Sequence, residues 1–316
     1  MTSSQIRLIL CLNLLVLVVL AGCTPAQQIA AFDGERAYQL LKFQVDLGPR
    51  YPGSSGHKAA HEMIFGYLKK YASTVETQEF RVQATNDSEP LVLKNIIALF
   101  DSKAKGNKDY VLLAAHWDTR PTADCEVTAE DQKKPILGAN DGASGTAVLL
   151  EMARVLHHRK PPIGVVMVFF DGEDYGPTSE RMFLGSRYFA ENLERSISSV
   201  GKSVNIRYGV LLDMVGDRNL MIYREGHSVD AAPEVVDKVW TAADELGYGK
   251  YFGREVKYTI EDDHVPLIKA GIKCIDVIDF DYAAWHTLDD TPDKCSPKSL
   301  QIVGRVVERV IYSEKP

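Results

Sequence analysis

The sequence has no excess of basic residues. Its 36 Lys and Arg residues are outnumbered by 43 Asp and Glu residues, which leaves a formal net charge of -7. This mildly acidic balance argues against nucleic acid as a partner and against a broad contact with anionic lipid. Hydrophobic residues make up 45% of the 316 residues, an ordinary globular share that allows one large α/β domain.

Cysteine is scarce as well, with five residues in the chain. Cys11 and Cys23 belong to an N-terminal segment, which leaves Cys125, Cys274 and Cys295 for the folded part. Three cysteines allow at most one disulfide bond. Because Cys125 and Cys295 both lie in predicted loops near the motifs described below, they are the favoured pair. Three free thiols are the alternative.

Long apolar runs are rare, and the longest lies at the N-terminus. Leu8–Leu20 follows the positive charge of Arg7 and is too short for a comfortable transmembrane helix. The run ends in Leu20-Ala21-Gly22-Cys23, which resembles the lipobox of bacterial lipoproteins. We therefore expect residues 1–22 to be a lipoprotein signal peptide and Cys23 to carry the lipid. An uncleaved anchor or a plain secretory signal is the alternative.

A lipid on Cys23 predicts where the protein is found. Acyl chains at this position would hold it at a membrane surface, with residues 23–31 as a tether. Thr24 differs from the Asp that signals retention in the inner membrane. The expected location is therefore the bacterial cell envelope, facing the periplasm, with the outer membrane favoured over the inner one.

Beyond this segment, short apolar runs alternate with stretches of helical apolar spacing. The predicted strands are Val75–Val82, Leu93–Phe100, Tyr110–Ala115, Ile163–Phe170, Tyr208–Leu212 and Ile272–Ile278. The predicted helices are Phe32–Leu47, Ser54 or Ser55 to Tyr71, Ala143–His158, Leu184–Leu193, Ala232–Leu246 and Pro297–Tyr312. The pattern predicts an α/β fold, a three-layer α/β/α sandwich with a mixed central sheet.

Polar residues follow several of the predicted strands at the point where each strand ends. His116, Asp171 and Asp213 each come at the C-terminal end of a buried strand. Ligands of open α/β sheets bind outside these carboxyl ends. We therefore expect imidazole and carboxylate side chains to converge on one crevice.

The segments next to these strand ends contain further candidates. Asp118 is placed to orient the imidazole of His116, as carboxylates commonly do beside metal-binding histidines. Asp141 lies in a loop of small residues that opens a helix, where it can be an N-cap, a metal ligand or both. Glu173 and Asp174 are adjacent carboxylates that repel each other unless a cation or proton lies between them. An exposed acidic loop is the alternative for that pair.

Three later motifs complete the set. Asp213 ends a strand, Glu261-Asp262-Asp263-His264 is an acidic cluster, and Trp285-His286-Thr287 follows it. Two histidines, several aspartates and one glutamate give the mixture of nitrogen and oxygen ligands that suits zinc. No Ser-His-Asp arrangement presents itself, so no protein nucleophile is expected.

The ordered set of motifs resembles the M28 family of zinc aminopeptidases and, within that superfamily, the glutaminyl-peptide cyclotransferases of bacteria. The resemblance runs from about Leu47 to the C-terminus. It rests on Gly48-Pro49-Arg50, His116-Trp117-Asp118, Asn140-Asp141-Gly142, Asp171-Gly172-Glu173-Asp174, Leu212-Asp213-Met214, Asp262-Asp263-His264 and Trp285-His286-Thr287. The resemblance implies the zinc-exopeptidase (phosphorylase/hydrolase-like) fold and a single catalytic domain over residues 32–316.

The resemblance also implies roles for individual residues. Zinc would be held by Asp141, Asp174 and His286. Glu173 would be the general acid/base, with Asp213 and Asp262 in its hydrogen-bond network. In two-metal aminopeptidases the positions of His116 and Asp213 bind a second zinc, so one ion or two is left open.

The implied reaction converts an N-terminal glutamine of a peptide or protein to pyroglutamate with loss of ammonia. Trp285 would pack on the substrate. Cyclases usually carry a further Trp in the loop after Asp174, but Tyr175–Gly185 has none, and Phe183 or Met182 is the nearest substitute. The alternatives are an aminopeptidase on the same scaffold and a non-catalytic peptide-binding lipoprotein.

The remaining histidines divide into two groups. His264 is left open as a residue that could touch the site. The others are predicted to be surface or packing residues, namely His57, His61, His157, His158 and His227.

Overall fold

The structure is a computed structural model that describes residues 31–83, 89–198 and 203–316. The predicted signal peptide, the lipid site at Cys23 and all of the tether except Ala31 lie outside the described residues. Within the described ranges, no helix has the length and apolar character needed to cross a membrane.

A mixed sheet forms the centre of the described chain. Its strands are β1 (Thr74–Val82), β2 (Leu91–Phe100), β3 (Asp109–His116), β4 (Gly164–Phe170), β5 (Asn205–Asp213) and β8 (Cys274–Ile278). Their spatial order is β1-β2-β4-β3-β5-β8. β1 pairs antiparallel with β2, and β2 pairs antiparallel with β4. The other pairings are parallel, namely β4 with β3, β3 with β5 and β5 with β8. The parallel strands therefore place their carboxyl ends at one edge.

Side-chain alternation along β3 shows why the sheet is covered on both faces. Val111 and Leu113 belong to one hydrophobic core, whereas Leu112 and Ala114 belong to a second core on the opposite face. All four residues are buried. A continuous apolar run is the pattern expected of a strand with helices on both sides.

Helices pack against the two faces of the sheet. They are α1 (Gly34–Asp46), α2 (Ser55–Leu68), α3 (Ala143–His158), α4 (Leu184–Glu191), α5 (Leu193–Ser198), α6 (Gly226–Ala231), α7 (Pro233–Glu245), α8 (His264–Lys269) and α9 (Pro297–Ser313). The larger core includes residues of α1, α2, α3, α7 and α9, and the smaller core includes Phe189 of α4 and Leu267 of α8. The predicted three-layer α/β/α fold with a mixed sheet is confirmed.

A second, two-stranded sheet was not predicted. It pairs β6 (Ile222–Glu225) in parallel with β7 (Phe252–Tyr258). β6 has only four residues, and most of β7 is exposed and polar. Neither strand therefore has the apolar run or the regular alternation that sequence patterns detect.

The favoured disulfide between Cys125 and Cys295 is wrong. The three cysteines that the structure describes are all free. Cys125 is exposed, whereas Cys295 lies in the larger hydrophobic core and Cys274 lies in the smaller one. Both cysteines lie near site motifs in the sequence, but the thiols are not paired, because Cys125 faces solvent and Cys295 is buried.

Candidate active site

Three side chains from separate segments form a group that fits a metal ion. His286 Nε2 lies 3.3 Å from Asp174 Oδ1 and 3.6 Å from Asp141 Oδ2. A tetrahedral zinc ion with bonds of about 2.0 Å separates its ligand atoms by about 3.3 Å. Asp174 Oδ2 is buried without a hydrogen-bond partner among the described residues, so an acceptor is available for a cation. The spacing and the donor types fit zinc.

Buried polar contacts hold the loop that contributes Asp141. The guanidinium of Arg50 is fully buried and donates to the carbonyl oxygens of Trp117, Leu137 and Gly138. The carboxylate of Asp290 accepts the backbone N–H groups of Asn140 and Asp141 at 2.8 and 3.1 Å. The Gly-Pro-Arg motif therefore acts through the backbone of the metal loop and not by touching the metal group.

A cluster of buried carboxyl groups lies beside the metal group. Burial raises the pKa of Glu173 well above its ordinary value, and the charges of Asp174 and Asp262 add to the effect against the opposing charge of His116. Burial and the charge of Asp213 raise the pKa of Asp262 to about 7. Carboxyl groups in such a cluster retain protons near neutral pH.

His116 connects the metal group with the carboxyl cluster. Its Nε2 lies 3.1 Å from Asp213 Oδ1 and 3.2 Å from Asp141 Oδ1, and its Nδ1 lies 3.5 Å from Glu173 Oε2. Burial opposes protonation of the ring, but Glu173 and Asp213 outweigh it and raise the pKa of His116 well above its ordinary value. His116, Asp141 and Glu173 form a second group with the spacing of metal ligands.

Two expectations about neighbouring aspartates need correction. Asp118 Oδ1 is 3.6 Å from His116 Nδ1, too far for a hydrogen bond, and the carboxylate instead accepts the N–H groups of Glu173 and Asp174. Asp171 does not reach the crevice, because it accepts a hydrogen bond from the backbone of Lys94 and pairs with His57 Nε2 at 2.8 Å.

Of the histidines predicted to be surface or packing residues, His57 is a packing residue: it is buried and stacked on Trp117 with 4.5 Å between ring centroids.

Behind Asp262 lies a buried cluster that the sequence did not reveal. His264 Nε2 contacts Glu225 Oε2 at 3.0 Å, and its Nδ1 lies 4.0 Å from Asp276 Oδ2. His264 does not line the cavity that adjoins the metal group, so the possibility that it touches the site is not confirmed. The sequence signal for Asp276 is an acidic residue in the middle of the apolar run of β8, where a charge needs a buried partner.

Aromatic and apolar side chains close the cavity next to the metal group. Trp285 stacks on His286 with 3.9 Å between ring centroids and packs on Phe280. Met182 and Phe183 also line the cavity, as expected of the nearest substitutes for the missing loop Trp. Tyr175, the other aromatic side chain of that loop, instead packs in a separate hydrophobic cluster.

The cavity wall contains strained backbone. Among the described residues, the non-glycine residues with positive φ are Phe183 (57°), Met214 (46°) and His286 (55°), and all three line the cavity. Such conformations cost on the order of 1–3 kcal/mol each and persist where surrounding contacts hold them. The N–H of Phe183 donates to the carbonyl oxygen of Glu173 at 2.8 Å, which is one such contact.

Comparison with known proteins identifies the class. The model of peptidase family M28 matches residues 95–311, and the chain belongs to this family. It is an enzyme with the zinc-exopeptidase fold, and the resemblance drawn from the motifs is confirmed.

Individual relatives refine this class. The chain is 39% identical to the Bacteroides thetaiotaomicron glutaminyl cyclase solved bound to N-acetylhistamine, with a TM-score of 0.83 and coverage of 90% of this chain and 99% of that one. A leucine aminopeptidase precursor from the same organism is also 39% identical, with a TM-score of 0.84 and coverage of 91% and 99%. The glutaminyl-peptide cyclotransferase of Drosophila melanogaster is 26% identical over 82% of this chain and 76% of its own.

Proposed function

We propose that this protein is a zinc-dependent glutaminyl-peptide cyclotransferase that converts N-terminal glutamine to pyroglutamate and releases ammonia. The observation that carries the proposal is one cavity in which a zinc-type ligand group, the buried carboxyl of Glu173 and the ring of Trp285 adjoin. The reaction needs no protein nucleophile, because the substrate's own α-amine attacks its γ-carboxamide. The relatives named glutaminyl cyclase support the same reaction.

Asp141, Asp174 and His286 would hold the primary zinc. Zinc bound there supplies Lewis acidity that polarises the γ-carbonyl group of the substrate. The spacing of His116 and Asp213 would also accommodate a second ion. A metal count per chain distinguishes one ion from two.

Glu173 would move the proton in this reaction. It takes a proton from the attacking amine and returns it to the leaving nitrogen, a role that requires a pKa near the working pH. Burial and the neighbouring carboxyl groups of Asp174 and Asp262 raise the pKa of Glu173 in that direction. Asp213 and Asp262 would complete its hydrogen-bond network.

Trp285 and Phe183 would hold the glutaminyl side chain. The indole of Trp285 and the ring of Phe183 face the cavity beside the metal group. Packing against them keeps the substrate curled, with its amine close to its γ-carbonyl carbon. Such positioning contributes several kcal/mol to intramolecular reactions, up to about 7–11 kcal/mol in well-oriented cases.

Aminopeptidase activity is the second candidate. It is favoured by the approach of Asp141 and Asp213 to Nε2 of His116, which offers a second metal position, and by the relative named leucine aminopeptidase precursor. In that reaction Glu173 would activate water for attack on the first peptide bond.

One experiment separates the two reactions. The purified mature protein is incubated with a peptide that begins with Gln and, separately, with aminoacyl chromogenic substrates, while ammonia and free amino acid are followed. Cyclisation predicts ammonia release with no shortening of the peptide and no chromogen. Release of the first residue would assign the aminopeptidase activity instead, and the metal count is taken from the same preparation.

The site of action is proposed to be the bacterial cell envelope. The support is the lipobox-like sequence Leu20-Ala21-Gly22-Cys23. A lipid on Cys23 would anchor the chain to a membrane, with the protein facing the periplasm. The outer membrane is favoured over the inner one. Labelling with a radioactive fatty acid should mark the wild-type protein and leave Cys23→Ser unlabelled. Equal labelling of both would contradict the anchor.

A further inference from the structure

A buried arginine that belongs to none of the sequence motifs lies against the metal group. Arg120 is 3% exposed, and its Nη1 donates to Asp174 Oδ1 at 2.5 Å. Its Nε and Nη2 donate to the two carboxylate oxygens of Asp124 at 2.6 and 2.8 Å. One guanidinium therefore joins a metal-ligand candidate to a second carboxylate that no motif singled out.

That second carboxylate approaches another metal-ligand candidate. Asp124 Oδ1 lies 3.6 Å from Nδ1 of His286, the ring nitrogen on the opposite side from the metal group, which is an ion-pair distance and not a direct hydrogen bond. Imidazoles that bind metals are commonly oriented by a carboxylate or carbonyl at their other nitrogen. The next residue, Cys125, donates its N–H to the carbonyl oxygen of His286 at 3.1 Å, so the segment contacts both backbone and ring of a residue with strained φ.

Arg120 also contacts the loop that lines the substrate cavity. Its Nη1 lies 3.9 Å from the sulfur of Met182. A Cβ atom built on Gly176 would lie only 2.6 Å from Nη1, so the loop backbone passes directly over the guanidinium. The loop continues into Met182 and Phe183, which face the cavity.

We propose that Arg120 and Asp124 are positioning residues that set the metal ligands and the substrate loop together. Arg120 donates to Asp174 Oδ1, the same oxygen that lies 3.3 Å from His286 Nε2, and so fixes the orientation of this carboxylate within the metal group. The Asp124 segment holds His286 through the N–H of Cys125, with the Asp124 carboxylate as a charged neighbour of the ring, and the guanidinium of Arg120 supports the loop. The inference rests on the proposed zinc site and adds two residues to it.

The charges of the pair are compatible with a cation nearby. The positive charge of Arg120 is offset by the carboxylate of Asp124, so the pair has no net charge. Arg120 can therefore contact Asp174 without adding a net positive charge beside the cation. A planar fork with several fixed N–H donors is required to hold two carboxylates at once, and a lysine ammonium does not reproduce that geometry. Arg120→Lys therefore keeps the charge and removes the bridge.

The test measures zinc affinity by competition with a chromophoric chelator for wild type, Arg120→Lys, Asp124→Asn and the double variant. Each single change is expected to weaken zinc binding about 10- to 100-fold, the range seen when residues that orient metal ligands are replaced. Because the two residues act as one unit, the zinc affinity of the double variant should be no lower than that of the single variant that binds zinc more weakly. With zinc saturating, Arg120→Lys should also raise KM several-fold more than it lowers kcat.

Asp131→Asn is the matched control. Asp131 lies in the same segment, but its carboxylate contacts only Thr128 and Lys134 among the described residues. Because Asp124 partners the buried guanidinium of Arg120, the unfolding temperature of each zinc-free variant is measured as well, and zinc affinities are compared among variants that remain folded. Wild-type zinc affinity in both single variants, or an equal loss in Asp131→Asn, would overturn the inference. A wild-type protein that binds no zinc would instead overturn the proposed function.

Discussion

On the two sides of the cavity, the buried aspartates Asp141 and Asp262 have pKa values shifted in opposite directions. On the metal side, burial alone would raise the pKa of Asp141, but the charges of His116 and His286 outweigh it and lower that pKa. On the acidic side, burial and then the negative charge of Asp213 raise the pKa of Asp262 to about 7. Burial is common to these two residues, so the sign of the neighbouring charge decides the direction in which each pKa is shifted.

Replacing Glu173 should produce the largest effect and separate the two sides. Glu173→Gln removes the proton carrier but leaves Asp141, Asp174 and His286 in place, so kcat should fall about 10²- to 10⁴-fold while zinc affinity is retained. Turnover and zinc content are measured on the same sample. Glu180→Gln, at an exposed position of the neighbouring loop, is the control, and normal turnover of Glu173→Gln would exclude the assigned role.

His286→Ala should break the other side alone. Zinc affinity should fall by more than about 100-fold, because a ligand is lost and not merely its orientation. The activity that remains should recover as zinc is added in excess, whereas added zinc should not rescue Glu173→Gln. Rescue of both variants by zinc would mean that the two sides are not functionally separate.

A smaller effect is expected when one like charge is removed from the acidic side. The charge of Asp262 contributes to the raised pKa of Glu173. Asp262→Asn removes that charge, so the acidic limb of the kcat/KM profile should move to lower pH by about one unit. The measurement is the pH–rate profile of both proteins with zinc saturating, and a shift to higher pH would contradict the proposed repulsion.

The smallest effect tests a buried carboxyl outside both sides. Burial, with a contribution from Asp217, raises the pKa of Asp279 to about 7, although its oxygens accept the N–H groups of Met221 and Asp281. Between about pH 4 and pH 7 the folded state therefore holds a proton that the unfolded state has lost, so stability falls as pH rises through this window.

Asp279→Asn removes this proton linkage. The difference in unfolding temperature, wild type minus Asp279→Asn, should therefore decrease by a few degrees from pH 4 to pH 7. The kcat of the two proteins should be the same. Thermal melts at several pH values provide the measurement. A constant difference in unfolding temperature would show that Asp279 ionises normally in the folded protein.

The site residues that could be predicted from the sequence are those whose position follows from one strand or one loop. His116 and Asp213 end buried strands, and the apolar runs locate those strands within about three residues. Sequence reasoning missed Arg120 and Asp124 because their partners, Asp174 and His286, lie far along the chain and meet them only after folding. It misjudged Asp171 for the same reason, since the partner His57 comes from α2 and turns the carboxyl away from the crevice.

The strand order has a consequence for how freely this enzyme can vary. Because β3 lies between β4 and β5, His116 lies 3.5 Å from Glu173, which follows β4, and 3.1 Å from Asp213, which ends β5, while Asp141 lies 3.2 Å away. A change of charge in the metal group would therefore act through the imidazole of His116 on the pKa values of Glu173 and Asp213. Metal preference and acid–base behaviour are expected to evolve together in this scaffold, and an engineer who alters one should expect to readjust the other.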